Sequence, residues 1–333
     1  MATIKDIAQR SGVDVSTASR ALNGKGGVSK KTLEKVKKAA AELNYTPNLS
    51  ARIIHGMKSH MIGFIVPEII SNYFARIVAE AEQLLQANGY SMLIVNTQFD
   101  HQKEKDALNT FCRYSVDGIF LACSLHQDVL DQFKPLLRER GIPLVLLEAR
   151  LHSDSYNYIM IDDEAGMVDA IRYLIGKGHD RVGFLSDYLL VHLRNNMFKA
   201  AVQKCGLDPE RCPIYVHPNR RFDPAGYEVM KNQVLGDPNR PVAFLAGYDN
   251  IAIGAMRAAE EAGLRIPEDF AVIGNDNIRE AQYLHKSLTT LSPPLEKMAE
   301  TGVRILLNCI EEKDLDTIHR VTMVPELIVR EST

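Results

Sequence analysis

The stretch Thr3–Asn23, TIKDIAQRSGVDVSTASRALN, decides how this chain is read. Two short helical patterns flank a glycine turn, Ser11-Gly12-Val13. Thr3 is placed to cap the first helix, with Asp6 three residues on as its capping-box partner. Ile4, Ile7 and Ala8 then share one helical face. Asp14 is placed to cap the second helix by accepting from its first free amides. On that helix Ala18 and Leu22, four apart, point inward, while Ser16, Thr17 and Arg20 point outward. A helix pair with a tight glycine turn, whose second helix offers small polar groups and an arginine, has the form that enters a DNA major groove. An ordinary αα-hairpin shares this pattern, so the rest of the chain has to decide.

Charge decides part of it. Residues 1–60 hold eleven Lys/Arg against four acids, a balance of +7. The remainder holds 28 basic against 38 acidic residues, a balance of −10, so the net −3 hides a basic head on an acidic body. Such a head suits a polyanion. A solvated lysine face is the plainer reading of the cluster Lys30, Lys31, Lys35, Lys37 and Lys38. At 333 residues, two or three domains are expected, and 46% hydrophobic with 24% charged residues are globular values. No apolar segment of signal-peptide type stands at the start, and the longest apolar run, Met61–Val66, is far too short to cross a bilayer. A cytoplasmic chain with no membrane partner is expected. The cysteines at 112, 123, 205, 212 and 309 are scattered without ligand spacing, so they read as reduced thiols, with no metal and no cofactor.

A third helix is expected over Ser29–Tyr45, with Leu33, Val36, Ala40 and Leu43 as its apolar stripe. The glycines at 24, 26 and 27 before it read as a plain turn, because no strand precedes them and no Lys-Ser/Thr pair follows as a phosphate loop requires. Pro47 disfavours helix at Thr46. Leu49–Gly56 could form a helix too short to be stable without a partner.

These features together resemble the LacI/GalR family of bacterial transcription regulators. The resemblance rests on Thr3–Asn23, the run Glu42-Leu43-Asn44-Tyr45 with Pro47-Asn48, Ala51-Arg52, and Ile62-Gly63 at a strand start. It implies a hinge helix after Pro47 that folds when two subunits pair on operator DNA, and an apolar wedge into the minor groove. By position that wedge is Ile54, beside Ala51, where the family usually has Leu. The resemblance also implies that Val15, Ser16 and Arg20 read bases. Arg20 is the strongest direct reader, since a guanidinium can pair with guanine O6 and N7. Thr3, Val15, Ser16, Thr17, Arg20, Asn23, Ala51 and Ile54 are thus the candidate DNA contacts.

From Met61 strands alternate with helices, which implies parallel sheets covered on both faces. IGFIVPEI, SMLIVNT, DGIFLAC and PLVLLEA read as the first strands. Tyr158–Asp163 reads as a crossover, after which the theme restarts with DRVGFLS, Pro213–His217, VAFLAG and FAVIGND. LTTL leads to a helix over Leu295–Glu311, and VTMVPELIVR closes the chain with strands. GHDRVGFL, GYDNIAIGAM, IPEDFAVIGNDN and SLTTL also match family segments. The expected fold is an all-α helix-turn-helix head (1–46), a hinge (47–60), and a two-lobed α/β core of the periplasmic-binding-protein type 1 kind. Its first lobe would take 61–160 and 292–321, and its second 161–291 and 322–333.

Ligands of open α/β sheets bind beyond the carboxyl ends of strands. The residues so placed are Glu68, Asn72, Tyr73 and Phe74; Asn96; Glu148 and Arg150; Asp187, His192 and Arg194; Tyr248 and Asp249; and Asn275 and Asp276. Arg194 and Asp276 match positions that commonly hold effector in the family, and a donor facing an acceptor suits a polyol. Tyr73 or Phe74 could cover an apolar sugar face or a base. Tyr73, Phe74, Glu148, Arg194, Tyr248 and Asp276 are the effector candidates, whereas Asp249 reads as the N-cap of a helix over Asn250–Gly263. Departures at the cleft, among them Met197 where the family often has Gly, argue against naming a sugar by analogy.

Catalytic residues are not expected. The consecutive Asp162, Asp163 and Glu164 diverge in direction, His179 sits in a family turn, and no Ser-His-Asp spacing or Gly-x-Ser-x-Gly appears. The alternative is a sugar receptor that does no DNA work. The main expectation is a homodimeric repressor of duplex operator DNA, controlled by a sugar-like effector between its lobes.

Overall fold

The computed structural model describes residues 2–22, 27–45, 58–122, 127–148, 156–190 and 193–333. The chain divides into two compact units, Met1–Ser59 and His60–Thr333.

Among the described residues the first unit has three helices: α1 (Ile4–Ser11), α2 (Val15–Leu22) and α3 (Lys30–Glu42). Thr3 and Asp6 form the expected capping box at α1. Gly12 ends that helix at φ +68°, a left-handed conformation that costs glycine little. The Ala18 amide donates to the Asp14 carbonyl at 2.9 Å, which puts Asp14 at the α2 N-cap position. Ile7, Ala8, Ala18, Ala21, Val36 and Ala39 form the small core. Two inward positions differ from expectation. Leu22 is only partly buried and Ala21 takes its place, and on α3 the fully buried residues are Val36 and Ala39. Small alanines let the short helices approach closely, leaving the larger Leu22, Leu33 and Leu43 to seal the edges.

The second unit carries two six-stranded sheets. In chain order its first elements are β1 (Met61–Val66), α4 (Asn72–Ala87), β2 (Ser91–Asn96), α5 (His101–Tyr114), β3 (Gly118–Ala122), α6 (Gln127–Arg140), β4 (Leu144–Leu147) and β5 (Asn157–Ile161). They are followed by α7 (Asp163–Gly176), β6 (Val182–Asp187), α8 (Arg194–Lys204), β7 (Ile214–His217), α9 (Phe222–Val229), β8 (Ala243–Ala246), α10 (Asp249–Glu261), β9 (Ala271–Asn275) and β10 (Thr289–Ser292). The last are α11 (Leu295–Glu312), β11 (Arg320–Met323) and β12 (Glu326–Ile328). The first sheet, order β11-β5-β4-β3-β1-β2, is parallel throughout. The second, order β12-β10-β9-β8-β6-β7, is parallel except that β12 runs antiparallel to β10. Two residues separate β11 from β12, so the chain leaves one sheet and enters the other from the opposite end.

Residues Tyr158–Asp163 are not a crossover. Asn157–Ile161 is β5, paired with both β4 and β11, and only Asp162 precedes α7. A five-residue apolar segment between turns has too little length to reveal its register. The first sheet accordingly extends to Ile161 and Met323, past the expected limits of 160 and 321.

Strand β1 explains why its sequence reads as it does. Ile62, Phe64 and Val66 pack with α4 and α11 on one face, and Ile65 packs with α5 and α6 on the other. At Gly63 a Cβ would run into the Phe111 ring of α5, so the glycine admits the aromatic. In the second lobe α9 and α10 meet at Gly226 and Gly254. A Cβ on either would overlap backbone of the facing helix, at Ile251 or Asp223 respectively.

Candidate functional site

In the first unit α2 presents Val15 (43% exposed), with Ser16 and Arg20 exposed on the same helix. Thr17 was expected to point outward but is half-buried, because it lies beside the inward Ala18. Thr3 is exposed, yet its hydroxyl and amide are engaged with Asp6 at 2.8 and 2.7 Å. Asn23, Ala51, Ile54 and the hinge up to residue 57 lie outside the described residues.

In the second unit β1 and β6 are the strands where strand order reverses, and a cavity opens beyond their carboxyl ends. The space between its atoms, with the open mouth included, is about 640 Å³. All six effector candidates line it: Tyr73, Phe74 and Glu148 from the first lobe, and Arg194, Tyr248 and Asp276 from the second. Glu68, considered with them, also lines it. Asn72, Asn96, Asp187 and Asn275 do not, while Arg150 and His192 lie outside the described residues.

Arg194 begins α8 and is 6% exposed. Nη1 donates to the Gly247 carbonyl, and Nη2 lies 3.3 Å from Asp163 Oδ2. Its guanidinium stands 5.3 Å over the Tyr248 ring, and Nε has no hydrogen-bond partner among the described residues. Burial opposes its charge, but Asp163, then Asp276, hold it protonated more firmly than usual. Asp276 follows β9 at φ +113° and accepts from Asn275 Nδ2 at 3.0 Å. Burial pushes its carboxyl well above the usual range; Arg194 opposes this, and Asp249, Asp163 and Glu148 add to it. Burial and the neighbouring Glu148 likewise raise the Tyr73 phenol.

Asp249 departs from its expected role. It is the first residue of α10 rather than the cap, and it is fully buried. Its carboxylate accepts from Thr290 Oγ1 at 2.5 Å and from the Ile278 amide at 2.8 Å. It therefore ties α10 to β10 and to the loop after β9, which carries Asp276. Burial raises its pKa to about 6, against the pull of those hydrogen bonds.

Sequence reasoning missed Arg221 and Phe99. Arg221 follows β7 and crosses to the first lobe, where Nη1 and Nη2 grip the two oxygens of Glu68 at 2.6 and 3.0 Å. Its guanidinium lies over Phe222 at 4.4 Å and Phe99 at 5.7 Å, with Nε 3.8 Å from Asp187. Burial pushes the Asp187 carboxyl up, opposed chiefly by Arg221. The carboxyl-end rule that found the other candidates applies equally after β7 and β2. A second tie joins the lobes at Arg76, which donates to the carbonyls of Asp276 and Asn277 at 3.3 and 3.4 Å and pairs with Glu296 at 2.7 Å.

Among the described residues no group of three or more His, Cys, Asp or Glu could hold a metal ion, and no helix is long and apolar enough to cross a membrane.

Residues 3–48 match the model for bacterial regulatory proteins of the lacI family, and residues 171–333 match a periplasmic binding protein-like domain. The HTH-type transcriptional repressor PurR of Vibrio atlanticus (strain LGP32) is 32% identical over 335 residues, covering 99% of this chain and 98% of the relative. The Lac repressor dimer bound to operator and the anti-inducer ONPF aligns with a TM-score of 0.87 at 25% identity, covering 99% of this chain and 98% of that one. The transcriptional regulator CelR in complex with cellobiose gives 0.69 at 25% identity, with full coverage of both chains. A sugar receptor without DNA work gives way to the main reading, because the matched head and core occur together in relatives along the whole chain. The chain belongs to the lacI family of bacterial regulatory proteins, as a transcriptional repressor controlled by a small-molecule effector.

Proposed function

We propose that two copies of this chain bind a pseudo-palindromic duplex operator, one head per half-site, and that a sugar-like effector between the lobes sets their hold. Val15, Ser16 and Arg20 read bases, with Thr17 beside them and Thr3 and Asn23 at the edges of the surface. Ile54 and Ala51 enter the minor groove where the paired hinges meet. In the core, Arg194 and Asp276 take the ring hydroxyls of the effector, Glu148 accepts a further donor, and Tyr73, Phe74 and Tyr248 cover its apolar faces. Lobe closure alters the spacing of the hinges and so the population of the DNA-competent state. By linkage, operator must change effector affinity by the same factor as effector changes operator affinity.

The observation that carries this reading is the convergence of all six effector candidates on one cavity between lobes that Arg221 and Arg76 already join. The test is binding of the full chain to a duplex selected from a random pool, titrated with salt. Affinity that falls steeply and linearly in log–log form is expected of a head that neutralises phosphates. A flat salt profile, or no enriched sequence, would sink the DNA part of the proposal.

A further inference from the structure

The walls of the cavity carry more acid than base, and the bases are already engaged. Glu68, Glu148 and Asp276 line it, and Asp163 and Asp187 stand directly behind the arginines. Among the described residues, two guanidiniums pair with these carboxyls. Arg194 gives one nitrogen to the Gly247 carbonyl and another to Asp163, keeping only Nε for a ligand acceptor. Arg221 gives both terminal nitrogens to Glu68 and packs its face on Phe222. Among the described residues no lysine lines the cavity.

An anion entering here meets the carboxylates of Glu68 and Glu148 in a medium that screens poorly. Arg194 Nε offers it a single N–H; the paired terminal nitrogens of either arginine come only by displacing Glu68 or Asp163, and that leaves the displaced carboxylate buried without its partner, which is costly. Hydroxyl or amine donors face the opposite situation, since Asp276 and Glu148 are acceptors on the cavity wall. Taking the cavity as the effector site, as proposed above, we infer that the effector carries no negative charge, binds as a hydrogen-bond donor, and is discriminated from its own phosphorylated form by the Glu68–Arg221 pair. One neutral acceptor atom on it is taken by Arg194 Nε.

The experiment uses the full chain and matched probes: ribose with ribose 5-phosphate, glucose with glucose 6-phosphate, adenosine with adenosine monophosphate, and inorganic phosphate, at constant ionic strength. Binding is read by calorimetry and thermal shift. The expected result is that the unphosphorylated member of at least one pair binds, its phosphorylated partner binds at least tenfold more weakly, and phosphate alone gives no shift. Glu68→Gln releases Arg221, so the discrimination should narrow several-fold and phosphate should begin to bind. Should that variant fail to fold, Glu148→Gln is the substitute, and it should weaken the neutral probe while narrowing the same ratio. A phosphorylated probe that binds as tightly as its partner overturns the inference. So does discrimination unchanged in the folded variant, and so does silence from every probe. A probe that binds with the predicted preference but leaves operator affinity unaltered would instead defeat the regulatory reading and leave this one standing.

Discussion

Arg20 of the head stands in water, whereas Arg194 of the core is 6% exposed and held between Asp163, the Gly247 carbonyl and the Tyr248 ring. In the function proposed above each is the arginine on which its site turns, yet they meet opposite physical demands. A residue that must reach a phosphate or a base edge gains from staying hydrated and mobile until DNA arrives. Its removal leaves the fold alone and costs only binding. A charge inside the cleft must be neutralised by its own protein before any ligand comes, so it is bound into the fold. The difference teaches that recognition and stability are separable in the head and inseparable in the core.

The largest expected effect is therefore at Arg194. Arg194→Met leaves Asp163 buried without its cation, and the core should lose about 3–5 kcal/mol in urea unfolding. Adding Asp163→Asn should recover part of that. A full-strength core in the single variant would break the comparison.

Asp249 sharpens it through pH. A carboxyl whose pKa is about 6 when folded and near 3.8 when unfolded holds its proton more tightly in the native state. Its contribution is thus favourable below pH ~4 and is lost as pH rises through ~6. By the size of the shift the loss is on the order of 3 kcal/mol. Of that loss about 1.4 kcal/mol falls between pH 5 and pH 7.5, and stability measured at those two values should show Asp249→Asn removing that share. A fall of equal size in the variant would assign it to other groups.

In the head, Arg20→Ala should weaken operator binding by about 1–3 kcal/mol and relax preference at one base position. Its melting temperature should not move. An unfolded or destabilised head would show that Arg20 is structural after all.

Much of this was legible in the residues, though not evenly. The capping box at Thr3 and Asp6 and the glycine turn at Gly12 are local devices, so spacing alone reveals them. The alternation of apolar strands and helices announced two parallel sheets, and a position just beyond a strand end was enough to place Tyr73, Glu148, Arg194 and Asp276. What depended on distant partners was hidden. Asp249 looked like a cap because its real partners, Thr290 and the Ile278 amide, come from elements 29 to 41 residues away. Arg221 drew no notice, since its partner Glu68 lies 153 residues earlier. Thr17 was misplaced because a face drawn on a helical wheel has edges, and a residue at the edge can turn either way. The β5 strand was taken for a crossover because a short apolar run does not state which sheet it joins.

The central claim is that the buried core governs the exposed head. It is tested most directly with whichever probe binds the full chain, by measuring operator affinity with and without that probe and probe affinity with and without operator. The account predicts that both ratios differ from one and equal each other. Two affinities that each remain unchanged in the presence of the other ligand would contradict it.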